Sequence, residues 1–195
     1  MGTDMDTTKM DRRARYTRMV LKQSLLELMK ERPISKISVK ELCEKADVNR
    51  TTFYAHYNDI EELLKQIEEE LFEIIKQSLE HGLGEESVSA MLMDILTGIK
   101  DNGELCKVLF SQYGDQSCLA DILKFAHDKT IKTWKHLSPD ISNSDMEKLY
   151  LFFSSGSVAM IREWVLNGMV ESTASIALFI DRLSCMGLAS LQGTI

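Results

Sequence analysis

The sequence predicts an all-α protein, with an N-terminal three-helix domain containing a helix-turn-helix, joined through a long helix to a larger helical domain. Apolar residues recur at three- and four-residue spacing along nearly the whole chain. Cap residues and capping boxes stand in front of several of those runs. Only two prolines and ten glycines interrupt 195 residues, 44% of them apolar. That length supports one compact core, or a small module fixed to a larger one.

The first helix, from about Tyr16, carries Val20, Leu21, Leu25, Leu28 and Met29 on one face, and Pro33 stops it just past Arg32. A second opens at "SVKE", where Ser38 caps and Glu41 closes a capping box; Leu42, with Val39 and Ala46, forms its buried face. Asp47, Val48 and Asn49 make the turn. Asn49 then caps a third helix by accepting from the N–H of Thr51 or Thr52, and Val48 and Phe53 have the spacing of a hydrophobic staple. Phe53 and Tyr57, one turn apart, anchor this helix inward; Arg50, Thr51, Tyr54 and Ala55 point outward, with Thr52 and His56 on the flank.

The fourth helix starts at Asp59, with Glu62 as the partner of another capping box. Ile60, Leu63, Leu64, Ile67, Leu71, Ile74 and Ile75 trace one stripe to about Leu79, a helix of roughly 30 Å at about 1.5 Å per residue. "HGLGEES" at 81–87 is the clearest break, and further helices are expected at about 86–101, 104–112, 115–137, 143–168 and 172–190. The last two are apolar around much of their circumference, which implies burial on more than one side. A homodimer resolves this, two copies of the pair packing as a four-helix bundle with Phe152, Phe153, Gly156, Met160, Trp164, Phe179 and Leu183 in the interface.

Net charge is −7, unevenly spread. Residues 1–58 hold 12 Lys+Arg against 8 Asp+Glu, a net of +4, and residues 59–195 hold 11 against 22, a net of −11. A basic head on an acidic body is expected when one end meets a polyanion. The outward face of the third helix offers Arg, Thr and Tyr, groups that read base edges and phosphates. Helix-turn-helix corners without a nucleic-acid role are also common.

The stretch "ISVKELCEKADVNRTTFYAHYNDIEELL", with its Phe-Tyr-x-His-Tyr core, resembles the DNA-binding signature of the TetR family of bacterial transcriptional regulators, from about Tyr16 to about Leu64. The resemblance implies a DNA-binding domain over 1–58 and an effector-binding and dimerisation domain over 59–195. It also implies a homodimer, acting in the cytoplasm as a repressor that a small apolar or aromatic effector releases from palindromic double-stranded operator DNA. Expected DNA contacts are Arg12, Arg13, Arg15, Ser38, Val39, Asn49, Arg50, Thr51, Thr52, Tyr54, His56 and Lys65. The chain departs from the family at Asp47, where glycine is usual, though Asp tolerates a left-handed backbone. Asn49 stands for a small hydroxyl cap, Thr51 or Thr52 for the usual glycine or alanine, and Ile60 for a phosphate-gripping lysine, a role left to Lys65. The "Trp164…Asn167-Gly168" end resembles the C-terminal domain of a branch of the family.

An effector cavity is expected among Met91, Met93, Leu96, Leu105, Leu109, Phe110, Tyr113, Phe125, Ile131 and Trp134, chiefly Met91, Phe110, Tyr113, Phe125 and Trp134, although the same types suit a plain core. The alternative is a DNA-bound protein whose C-terminal domain docks a protein partner without a ligand. His127 and His136 have poor metal-ligand spacing, so no metal is expected. Cys106 and Cys118 lack a basic setting beyond Lys107. The cysteines are scattered singly, as in a reducing cytosol. No run of about 18 uninterrupted apolar residues, secretory signal, cofactor fingerprint or catalytic motif is read, so neither a membrane role nor an enzyme is expected.

Overall fold

The computed structural model describes residues 4–81, 88–114 and 117–191, and every regular element among them is helical. In order they are α1 Asp4–Met29, a 3-10 turn at Ile34–Lys36, α2 Val39–Ala46, α3 Arg50–Tyr54, α4 Ile60–His81, α5 Val88–Asp101, α6 Gly103–Leu109, α7 Ser117–Leu137, α8 Asn143–Leu166 and α9 Thr173–Leu191. Several bounds differ from the sequence expectation by one to three residues, and the start of α1 by more. α1 begins at Asp4 rather than near Tyr16, because the polar stretch before Tyr16 holds no glycine or proline after Gly2. α6 ends at Leu109 rather than at 112: the Ser111 hydroxyl accepts the Tyr113 N–H at 3.1 Å, a local bond that competes with the helix ladder. Most of the break at 81–87 lies outside the described residues.

The chain forms two compact units, Met1–Glu69 with Ser111–Gly114, and Glu70–Phe110 with Asp115–Ile195. The division falls inside α4, not ahead of it between 58 and 59. The α4 stripe explains this. Ile60, Leu63, Leu64 and Ile67 are buried in the first unit, and Leu71, Ile75 and Leu79 in the second.

In the first unit, Leu21, Leu25 and Met29 of α1, Leu42 of α2 and Phe53 of α3 are fully shielded from solvent. Val39 and Ala46 are only half-buried; Cys43 takes the second inward position of α2. Two ion pairs tie α1 and its C-terminal turn to α2, Lys45 to Glu27 at 2.9 Å and Arg32 to Glu41. Because Glu41 is engaged by Arg32, the expected capping box shows one direction only: Ser38 Oγ accepts the Glu41 N–H at 3.3 Å.

In the second unit α5 packs on α9, and α8 on α6, α7 and α9. Ile131, Trp134, Met146 and Leu188 form one centre, joined by Leu149, Tyr150 and Phe153. The helices approach closely at Gly187, where a Cβ would lie 2.4 Å from Phe153 Cε2. α8 ends in a Schellman motif. Gly168 takes φ +86°, Gly168 N–H donates to Val165 O at 3.1 Å, and Met169 N–H donates to Trp164 O at 2.8 Å. α9 is long and apolar enough to cross a membrane by length and composition, but its inner face, with Ile176, Ala177, Ile180 and Leu188, is buried in the unit.

Candidate functional site

The helix-turn-helix is fixed by backbone chemistry at its turn. Asp47 adopts φ 53°, ψ 43°, the left-handed region that Asp enters more readily than most residues. Asp47 N–H then donates to Glu44 O at 3.4 Å and Val48 N–H to Cys43 O at 3.0 Å, a second Schellman closure. Asn49 Oδ1 accepts the Thr52 N–H at 2.8 Å and the Thr52 hydroxyl at 3.0 Å. The Thr52 side chain is thereby held against the cap. After α3 the chain still turns helically, with Tyr57 N–H donating to Phe53 O at 2.9 Å.

The consequence is a short helix with two distinct faces. Phe53 and Tyr57 point inward with ring centroids 5.7 Å apart, while Arg50, Thr51, Tyr54 and Ala55 are exposed. Tyr54 is 57% exposed and stands edge-on to Phe53 at 5.4 Å, which sets its direction. Thr52 and His56 lie half-buried at the flank, Val39 is half-buried, and Ser38 and Asn49 are exposed at the two helix starts. Arg12, Arg13 and Arg15 are exposed on α1 itself. Ile60 is buried, so it offers nothing to a phosphate. Lys65 is exposed and weakly paired with Glu69 at 3.8 Å. The start of α4 is anchored by Asp59, which accepts the Glu62 N–H at 2.7 Å, while Glu62 accepts the N–H of Asn58, at 2.6 Å, rather than that of Asp59.

The second unit contains a cavity of about 590 Å³, within the range of about 300–1,000 Å³ that holds small molecules. Its wall comes from α4 to α9. Of the expected lining residues Met91, Phe110 and Trp134 are there, with Leu109 beside them. Tyr113 and Phe125 are not. Tyr113 belongs to the first unit, and Phe125 is turned onto Phe72, ring centroids 6.1 Å apart. Sequence reasoning missed the polar part of the wall: Lys129, Thr130, Thr133 and His136 on α7, Tyr150, Ser154 and Ser157 on α8, and Ser184 on α9. The α7 residues recur at helical spacing with Leu119, Ile122, Leu123, Ala126 and Trp134, so the periodicity carried the signal.

Cys106 and Cys118 also line the cavity and are buried. Burial, and the nearby Cys118, push the Cys106 thiol up to about 12, so it stays protonated and poorly nucleophilic. Tyr150 donates to Leu123 O at 2.7 Å, its phenol raised to about 12 by burial and by the charges of Asp128 and Glu147. His127 bridges the same two helices, 2.7 Å from Glu147 and 3.0 Å from Asp128. The hydrogen bond to Glu147, then that to Asp128, raises its pKa above the ordinary 6.5. Among the described residues no three His, Cys, Asp or Glu cluster as a metal site.

An apolar face is left open on α8 and α9. Phe152 is 73% exposed, Phe179 and Leu183 are exposed, and Gly156 has nothing within 4 Å of where its Cβ would be. Leu151 and Leu166 on α8 and Leu178 and Met186 on α9 are exposed as well. Phe153 and Met160 are half-buried. Trp164 is buried in its own unit, its Nε1–H donating to Glu171 O at 3.0 Å. Its place is therefore the core of the second unit and not the interface expected from sequence.

Residues 24–67 match the sequence model for bacterial regulatory proteins of the TetR family, and residues 86–184 match that for a transcriptional regulator C-terminal region. An uncharacterised HTH-type transcriptional regulator, YxbF, of Bacillus subtilis (strain 168) is 35% identical over 65 residues, 31% of this chain and 17% of that protein's length. Among solved structures the dihydroxyacetone kinase operon activator DhaS is 20% identical with a TM-score of 0.61, covering 90% of this chain and 97% of that one. A TetR transcriptional regulator from Streptococcus agalactiae 2603V is 22% identical with a TM-score of 0.61, covering 91% and 98%. At these identities the structures show a shared fold.

Proposed function

The chain belongs to the TetR family of DNA-binding bacterial transcriptional regulators, and from that premise we propose that it is a homodimeric cytoplasmic repressor released from a palindromic operator by a small-molecule effector. Residues 1–58, with Lys65 on the first turns of α4, carry the DNA contacts, and residues 59–195 the effector site and dimer interface. The observation that carries the DNA reading is the outward face of α3, Arg50, Thr51 and Tyr54, on a turn locked by Asp47 and Asn49. Arg50 and Thr51 read bases. Tyr54, His56, Ser38, Lys65 and the α1 arginines position the backbone, with Val39, Asn49 and Thr52 supporting the contact.

The cavity supports an effector over the alternative in which this domain only docks a protein partner, because a docking module has no need of a mostly apolar cavity of about 590 Å³. The open face of α8 and α9 supports a two-fold dimer, in which Phe152, Phe179 and Leu183 leave water with Gly156 at the close approach. α4 supplies Leu71, Ile75 and Leu79 to the cavity wall, and the same continuous helix carries Ile60 and Leu63 in the core of the first unit. Occupancy of the cavity thus has a helical connection to the head.

The test is to select bound sequences from random duplexes and compare Arg50→Ala with the parent. Loss of roughly 1–3 kcal/mol on the selected site, with relaxed preference, is expected; an equal loss on matched and mismatched duplexes contradicts base reading by Arg50. For the effector, compounds that release the DNA must in turn bind more weakly to the DNA-bound protein, by the same factor. Equal affinity with and without DNA contradicts release and favours partner docking.

A further inference from the structure

Among the described residues the cavity wall holds a lysine and no carboxylate, in a unit that is acidic. Residues 59–195 hold 22 Asp+Glu against 11 Lys+Arg, yet among the described residues the wall contains Lys129 and His136 and no carboxylate. The two lie seven residues apart on α7, two turns along one edge of its cavity face. Lys129 makes no ion pair with any described residue; its Nζ rests 5.7 Å from the Phe125 ring centroid. Lys76, Lys107 and Lys148 in the same unit are paired with carboxylates at 3.2, 2.9 and 3.0 Å, and Lys100, Lys124, Lys132 and Lys135 are exposed and lie outside the cavity wall; Lys129 is half-buried and in it. The ring face attracts the ammonium only weakly, and a cation with no anionic partner beside an apolar cavity is costly to desolvate unless an anion arrives with the ligand.

The hydroxyls divide in the same way. Thr133, Ser154 and Ser184 donate to carbonyls of their own helices, Lys129 O, Leu151 O and Ile180 O. Thr130 and Ser157, also in the wall, have no hydrogen-bond partner among the described residues. The rest of the lining is dominated by Leu, Ile and Met from α4, α5 and α7.

Resting on the effector reading above, we propose that the cavity takes an anionic amphiphile, an aliphatic chain ending in a carboxylate, with the chain against Leu71, Ile75 and Ile95 and the carboxylate on Lys129. Such a ligand satisfies each feature of the wall. Its chain fills apolar space that has no polar demand, its charge compensates the unpaired ammonium, and its oxygens accept from Thr130 or Ser157. A cationic amphiphile is repelled by Lys129, and an uncharged chain leaves that lysine uncompensated.

The experiment titrates the full chain by calorimetry, below the critical micelle concentration, with decanoate, decan-1-ol and decylamine, each also against Lys129→Met and Lys129→Arg. Methionine keeps the aliphatic stem without the charge. Decanoate is expected to bind about tenfold or more tightly than decan-1-ol; Lys129→Met removes that advantage and leaves decan-1-ol unchanged, and Lys129→Arg retains it. Unchanged alcohol binding shows the variant is folded, which its melting temperature checks independently. Equal affinity for acid and alcohol, preference for the amine, or loss of both ligands equally in a folded Lys129→Met protein overturns the anion assignment while leaving the cavity a ligand site. Binding of none of the three chains overturns the assignment and counts against the effector reading itself.

Discussion

The first unit buries its large apolar side chains against one another around α2 and α3, whereas the second leaves a cavity among its helices. Around α2 and α3 the large apolar side chains close completely: Leu42 and Phe53 are fully shielded, and the turn between them is held by backbone bonds and a side-chain cap. In the second unit the wall of six helices leaves about 590 Å³ unfilled. The difference follows from what each has to do. Reading a base edge requires Arg50 and Thr51 to be held in place by a scaffold that does not yield. Sensing a molecule requires space, which costs dispersion contacts at every side chain that faces it.

That contrast can be broken most directly by truncation. Leu42→Ala removes a fully buried side chain and should cost about 2–5 kcal/mol, read as a lowered denaturation midpoint together with lost DNA binding. Leu123→Ala, in the cavity wall, already lacks neighbours on one side and should cost less, about 1–2 kcal/mol. Equal costs would show that the second unit is packed as tightly as the first.

Filling sharpens the same point with opposite signs. Ala126→Leu in the wall should be neutral or stabilising by about 0.5–2 kcal/mol and weaken the ligand response. Cys43→Leu in the head should be overpacked, losing about 1–3 kcal/mol. Thermal melts of the two variants decide it, and a destabilised Ala126→Leu would argue that the cavity is already occupied by its own side chains. A smaller effect is expected at the cap: Asn49→Ala should cost about 1 kcal/mol, measured by denaturation, and should weaken every DNA sequence alike.

The smallest effect belongs to His127. Its folded pKa is raised by Glu147 and Asp128, so its contribution is fully present below the ordinary value of 6.5 and is lost as pH rises through the higher folded value. Because the pair is partly exposed the change is modest. His127→Gln should flatten the slope of stability against pH across that window; an identical slope in the variant would remove His127 as its source.

Much of this fold is legible in the amino-acid sequence, because caps and periodicity are local. Ser38, Asn49 and Asp59 each accept from the N–H three residues on, and Asp47 holds the left-handed turn. What is not legible depends on which helix packs against which. Trp164, Phe125 and Tyr113 are large aromatic residues equally suited to a core, a cavity or an interface, and nothing in their immediate sequence says that Trp164 meets Glu171 O or that Phe125 meets Phe72. Lys129 is inconspicuous for the opposite reason. A lysine on a helix is normally solvated, and only the placement of α7 against the cavity gives it another role.

The most direct test of a head that reads DNA as one of a pair is selection of random duplexes by the purified full-length protein, followed by sequencing. The expected result is an enriched inverted repeat with half-sites about 34–36 Å apart, or a multiple of that, centre to centre. Phe152→Glu, which charges the exposed face of α8, should abolish binding to the paired site. Recovery of a single unpaired half-site bound equally well by Phe152→Glu, or of no preferred sequence at all, would contradict the paired reading.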